Sequence, residues 1–85
     1  MAKPIDLTNP ALFTAWVIEV QSLTLLISKV WFPKWTMKKG IKRLVFLVKN
    51  GSQYLEHASS KLPNKDLALL TLINAESLLL KKRLY

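Results

Sequence analysis

The stretch Lys65–Leu84, KDLALLTLINAESLLLKKRL, decides the fold. As a helix it would run about 30 Å. Two apolar stripes follow it at helical spacing. Leu69, Leu70, Ile73, Leu80 and Leu84 make one, and Ala68, Leu72, Ala75 and Leu79 make the other. A helix apolar on two sides is buried between layers. The rest of an 85-residue chain does not readily supply both layers. Leu72 and Leu79 are therefore expected at an interface with another copy or another protein. Lys81, Lys82 and Arg83 fall in the last turn, where positive charge suits the helix dipole.

Upstream lies a short turn, Lys61-Leu-Pro-Asn64. Asn64 is a candidate N-cap, with Asp66 in the first turn behind it. Before the turn, residues 36–60 predict a second helix. Its inner stripe is Ile41, Leu44, Val45, Val48, Ser52, Leu55 and Ser59. Gly40 and Asn50-Gly51 weaken it, but the stripe keeps phase across Asn50-Gly51, which favours one long helix over a break. Phe32-Pro33-Lys34 separates this helix from the first, since a residue before proline resists helical geometry.

The first helix is expected over residues 10–32. Thr8-Asn9-Pro10 is a start signal: a capping side chain, then a proline whose missing N–H costs nothing at the first helical position. Leu12, Phe13, Trp16, Val20, Leu23, Ile27, Val30 and Trp31 share one face, and Thr14, Gln21 and Ser28 mark the opposite side. Residues 1–9 form an N-terminal arm. The expected fold is all-α, an antiparallel bundle of three long helices in one domain, completed by oligomerisation or a partner. The apolar fraction of 51% supports that completion, because a domain this small hides only about 60–65% of its unfolded surface. Trp16, Trp31 and Trp35 are expected as core or interface anchors.

Charge points to anions. Thirteen Lys and Arg face five Asp and Glu, a net of +8. Such a bias favours nucleic acid, acidic lipid or an acidic protein. Eleven of the thirteen are Lys, which suits phosphate attraction better than bidentate base reading. The densest cluster is Lys38, Lys39, Lys42, Arg43 and Lys49, with Lys34 just before it. Its functional reading is a face that contacts phosphates; a merely solvated face and a membrane contact are the alternatives. Lys38, Lys42 and Lys49 form a line along a helix. Phe46 lies on the same side, placed to stack on a base or to meet another copy.

Catalytic constellations are missing from the sequence. The single histidine, His57, has no nucleophile to serve, and Glu56 beside it points about 100° away on a helix. There is no cysteine, no glycine-rich phosphate loop, and no ligand set for zinc. The expectation is a non-enzyme without metal or cofactor. Glu19, among apolar residues, reads as a rim carboxylate or as a specific partner for Lys or Arg on another helix. The start, Met1-Ala-Lys-Pro-Ile-Asp6, does not read as a secretory signal, so a cytoplasmic location is expected.

Phe32-Pro33-Lys34, the basic helix after it, and LLTLINAESLLLKKRL over Leu69–Leu84 resemble the Avd family. These are accessory variability proteins of diversity-generating retroelements, related to the four-helix-bundle proteins encoded in ribosomal RNA intervening sequences. The similarity covers roughly Ser28 to Tyr85. It implies a helical protomer in a basic pentameric barrel that binds nucleic acid (RNA or DNA) and a partner reverse transcriptase, with no catalysis of its own. Lys38, Lys39, Lys42, Arg43 and Lys49 would be the contacts. The family's fourth helix has no counterpart here, so the layer it would supply must come from elsewhere.

Two other functions fit the same residues. Residues 10–32 would span a bilayer at about 34 Å, with Trp31 and Trp35 at the interface and Lys34–Arg43 as the positive flank. Glu19 at mid-span opposes this by around 2.5–3.5 kcal/mol. The chain also fits a helical structural subunit or inhibitor of a larger protein complex, docking through helices 1 and 3.

Overall fold

The computed structural model describes residues 3–29 and 37–84. It contains α1 (Pro10–Lys29), α2 (Lys38–His57) and α3 (Lys65–Lys81), with one 3-10 turn at Ser59–Lys61. Each helix packs on the other two. Side-chain contacts give the directions. Glu19 meets Arg43, while the Leu23 side chain lies nearest Gly40 and the Trp16 ring lies against Gly51. Rising numbers on α1 therefore match falling numbers on α2, and the pair is antiparallel. Lys82 reaches the Ile27 carbonyl, and Trp16 shares its neighbour Gly51 with Leu72. That makes α3 parallel to α1.

Starts and stops follow local chemistry. Asn9 caps α1, its side-chain oxygen accepting from the Ala11 and Leu12 amides at 2.9 and 3.3 Å. Asn64 caps α3 by accepting from the Leu67 amide at 3.0 Å. At Ala58 the backbone leaves helical geometry (φ −145°, ψ 32°), so α2 stops at His57, three residues before its expected end. Leu62, which precedes Pro63, is extended as that position demands. Helix α3 stops at Lys81 rather than Leu84 because Arg83 turns left-handed, at φ 57°. The Arg83 amide then donates to Leu80 O and the Leu84 amide to Leu79 O. This is a Schellman closure with arginine where glycine is usual. Lys82 donates to Ile27 O at 2.9 Å, satisfying a carbonyl in the last turn of α1.

The core joins Phe13, Trp16, Val17, Val20 and Ile27 with Leu44, Leu47 and Val48, and with Ala68, Leu72, Ala75 and Leu79. Two expectations need correction. Leu72 and Leu79, expected at an intermolecular interface, are buried inside this chain's own core, and of the two places expected for Trp16, core or interface, it takes the core. Leu47, left out of the expected stripe of α2, is fully buried, while Val45 is only partly covered. The helix is rotated toward Leu47 and Gly51 because the Trp16 indole lies over Gly51 and donates to Leu47 O at 3.0 Å. The N-terminal arm joins the core through Leu7, which is fully buried. Val30, Trp31, Lys34 and Trp35 lie outside the described residues, as does the expected end of helix 1.

Candidate nucleic-acid interface

The apolar face of α2 turns inward on Leu44, Leu47, Val48 and Gly51, which leaves Lys38, Lys39, Lys42 and Lys49 exposed on the outside. At about 100° per residue, Lys38, Lys42 and Lys49 lie within about 40° of one another around the axis, over about 16 Å of helix. None of the four forms an ion pair among the described residues. The cationic line therefore faces water and is available to an anion.

Arg43, the fifth cation of the expected set, differs from the four lysines in having an ion-pair partner within the chain. Its Nε donates to Glu19 Oε2 at 2.7 Å and its Nη2 to Glu19 Oε1 at 3.0 Å. A fork-to-fork pair of this kind fixes both planes. The hydrogen bonds from Arg43 hold the Glu19 carboxyl below the usual carboxylate range, and Glu19 raises the Arg43 guanidinium in return. Glu19 is thus the specific partner for an arginine on a neighbouring helix, not a bare rim carboxylate. The pair also places the Arg43 guanidinium carbon 5.4 Å from the centre of the Phe46 ring, within cation–π range.

Beside this line the N-terminal arm crosses α2. Asn50 holds it with two bonds to one residue. The Ile5 amide donates to Asn50 Oδ1 at 3.0 Å, and Asn50 Nδ2 donates to Ile5 O at 3.1 Å. The crossing makes one wall of a groove of about 380 Å³, lined by Pro4, Lys42, Val45, Phe46, Lys49, Asn50 and Gln53. Phe46 sits one turn from each of the two lysines. The groove thus joins an aromatic ring, two flanking cations and the Gln53 amide. Gln53 and Pro4 escaped sequence reasoning. The spacing Lys42-x3-Phe46-x2-Lys49-x3-Gln53 was the available signal for Gln53; nothing local pointed to Pro4.

Elsewhere the surface offers less chemistry. His57 and Glu56 are 3.9 Å apart and about three-quarters exposed (74% and 73%), a solvated contact too long for a catalytic hydrogen bond. Among the described residues no three His, Asp or Glu side chains converge as metal ligands. A second groove of about 220 Å³ runs between α1 and α3, lined by Gln21, Thr24, Leu25, Thr71 and Asn74. Among the described residues α1 alone is long and apolar enough to cross a membrane by length and composition. Comparison with protein-family models, with characterised proteins and with solved structures finds no match to this chain.

Proposed function

We propose that the chain is a non-catalytic basic helical scaffold that binds nucleic acid along the outer face of α2. The observation that carries this is the line of Lys38, Lys42 and Lys49, without ion-pair partners among the described residues, next to the Phe46 groove. Lysines supply phosphate attraction without sequence reading. A ring between two of them suits an unstacked base, so single strands are the preferred ligand. The resemblance to the Avd family supports the same reading. It also supplies the reverse transcriptase as partner and self-assembly as the source of the missing layer.

A bilayer-spanning α1 fits less well. Withdrawing it would break the Glu19–Arg43 fork and strip Trp16, Val20 and Ile27 from their packing.

The test is fluorescence anisotropy with a labelled single strand and a duplex of the same sequence, over a salt series. Log affinity should fall with log salt, with a slope near −0.7 per phosphate neutralised on the single strand and near −0.9 on the duplex. Changing Lys38, Lys42 and Lys49 to Gln should flatten that slope by about 2 units on the single strand. Phe46→Leu should weaken the single strand by about 1–3 kcal/mol and leave the duplex unchanged. A salt slope near zero in the parent protein would remove the proposal.

A further inference from the structure

We infer that the outer face of α3 is a self-association surface, on which a second copy of the chain packs its own α3 antiparallel. The inference rests on the self-assembly in the scaffold reading and names its surface; nucleic-acid binding by α2 stands or falls separately. Of the helix's two apolar stripes, only one enters the core: Ala68, Leu72, Ala75 and Leu79 are buried, together with Thr71. The other, apart from Leu84 beyond the helix end, stays in water. Leu69, Leu70, Ile73 and Leu80 are 45%, 57%, 51% and 63% exposed. Leaving four such side chains on one helix face exposed is costly and marks a contact surface.

Charge selects the occupant. Asp66 stands at one end of the strip and Lys81 at the other, both exposed. The acid between them, Glu76, is turned toward α2 and accepts from Ser52 Oγ at 3.3 Å. Lys82 is directed to the Ile27 carbonyl on α1. Lys65, also exposed, falls on the other flank of the strip, so the flank shared by Asp66 and Lys81 reads anion, apolar, cation along its length. A parallel neighbour would gather Lys81 and Arg83 of both copies at one end with no exposed acid among them. An antiparallel second copy sets Asp66 against the second copy's Lys81, and by symmetry the reverse. Residues 66 and 81 are equidistant from the Ile73–Asn74 bond, so a two-fold axis there makes both ion pairs and brings the isoleucines together. Each pair lies about 11 Å from that axis. A shallow crossing near 20° keeps them in reach, and opposed helix dipoles favour the same orientation. The strip is small beside the ~800 Å² per partner of a standard interface, so a concentration-dependent dimer is expected.

Sedimentation equilibrium on the full chain, from micromolar to several hundred micromolar in moderate salt, reads the outcome. The parent should dimerise. Asp66→Lys alone and Lys81→Asp alone should each raise the dissociation constant about tenfold or more. An equimolar mixture of the two variants should recover association, because the heterodimer makes both ion pairs again. Circular dichroism confirms that each variant folds. Ile73→Glu gives a second route if either fails, since Ile73 lies outside the core, and it should abolish the dimer. A parent that stays monomeric throughout, whether or not it binds anionic vesicles, overturns the inference. So does a mixture no tighter than its components, or an assembly indifferent to all three substitutions.

Discussion

The two glycines of α2 occupy opposite environments, and the same substitution should therefore move stability in opposite directions. A methyl group at Gly51 would land on the Trp16 ring, with Trp16 Cη2 at 3.0 Å and Leu72 Cδ2 at 3.1 Å. The indole cannot back away without losing its bond to Leu47 O. Gly51→Ala gains up to about 1 kcal/mol of helix propensity against an overpacking cost of about 1–3 kcal/mol, so a net loss is expected. At Gly40 the nearest atom is Leu23 Cδ2 at 3.9 Å, an ordinary contact. Gly40→Ala should stabilise by about 0.5–1 kcal/mol. Urea melts of both variants check the pair of signs. The Glu19–Arg43 fork gives a pH signature. Arg43 lowers the carboxyl's pKa in the folded state, so its stabilisation is present above the ordinary carboxylate range and is lost as pH falls through the depressed value. Both side chains are about 40% exposed, which limits the pair to about 0.5–1 kcal/mol. Glu19→Gln should be less stable than the parent at pH 7 by that amount. The gap should close between about pH 5 and pH 3, and a gap constant down to pH 3 would mean the carboxylate charge contributes nothing.

At the scale of elements, the arm is the least independent part of the chain. It has no helix of its own, and it is held by the buried Leu7, by Ile5 packed on the core, and by the two bonds between Asn50 and Ile5. Asn50→Ala should cost about 1–3 kcal/mol. The Ile5 amide should lose its protection from hydrogen exchange while the core amides of α3 keep theirs. Unchanged protection at Ile5 would show that the packing of Ile5 and Leu7 anchors the arm without Asn50. This contact also explains what sequence reading reached and what it missed. The three helices and the caps at Asn9 and Asn64 were legible because capping and apolar period are local. So was the surplus stripe of α3. The face of α2 was misjudged by about one residue, since its rotation is set by the Trp16 indole, which donates to Leu47, 31 positions further along the chain. Asn50-Gly51 reads locally as a weak point. In the fold the asparagine straps the arm and the glycine admits the indole. The end of α3 was missed because its left-handed residue is Arg83, where a sequence reader looks for glycine. Within the candidate interface, the exposure of four lysines followed from the stripe, whereas the pairing of Arg43 with Glu19 depended on which helices meet.

Net charge acts on the whole molecule at once. A charge of +8 on a chain with a radius of gyration of 12.6 Å repels itself. At 0.01 M salt the Debye length is about 30 Å, longer than the molecule's radius, and at 0.15 M it is about 8 Å, shorter than it. Most of the screening is therefore acquired between those two concentrations. The thermal midpoint of dilute protein should climb over that range in sodium chloride and level off above it. For a domain of this size each kcal/mol of relieved repulsion is worth roughly 4–8 °C. The Glu19–Arg43 pair opposes the trend by less than about 1 kcal/mol, so the sign should hold. A midpoint that falls with salt would mean that attractive pairs outweigh the repulsion and that the positive charge is evenly dispersed. The same cations predict a mirror-image result with ligand. At 0.01 M salt a single-stranded polyanion should raise the midpoint, because it binds the folded lysine line and relieves the repulsion together. That rise should vanish by about 0.5 M as counterion release ceases to favour binding. Replacing Lys38, Lys42 and Lys49 by Gln should shrink both effects at once. If it shrinks only the salt climb and leaves the ligand-induced rise intact, the nucleic acid binds elsewhere on the molecule.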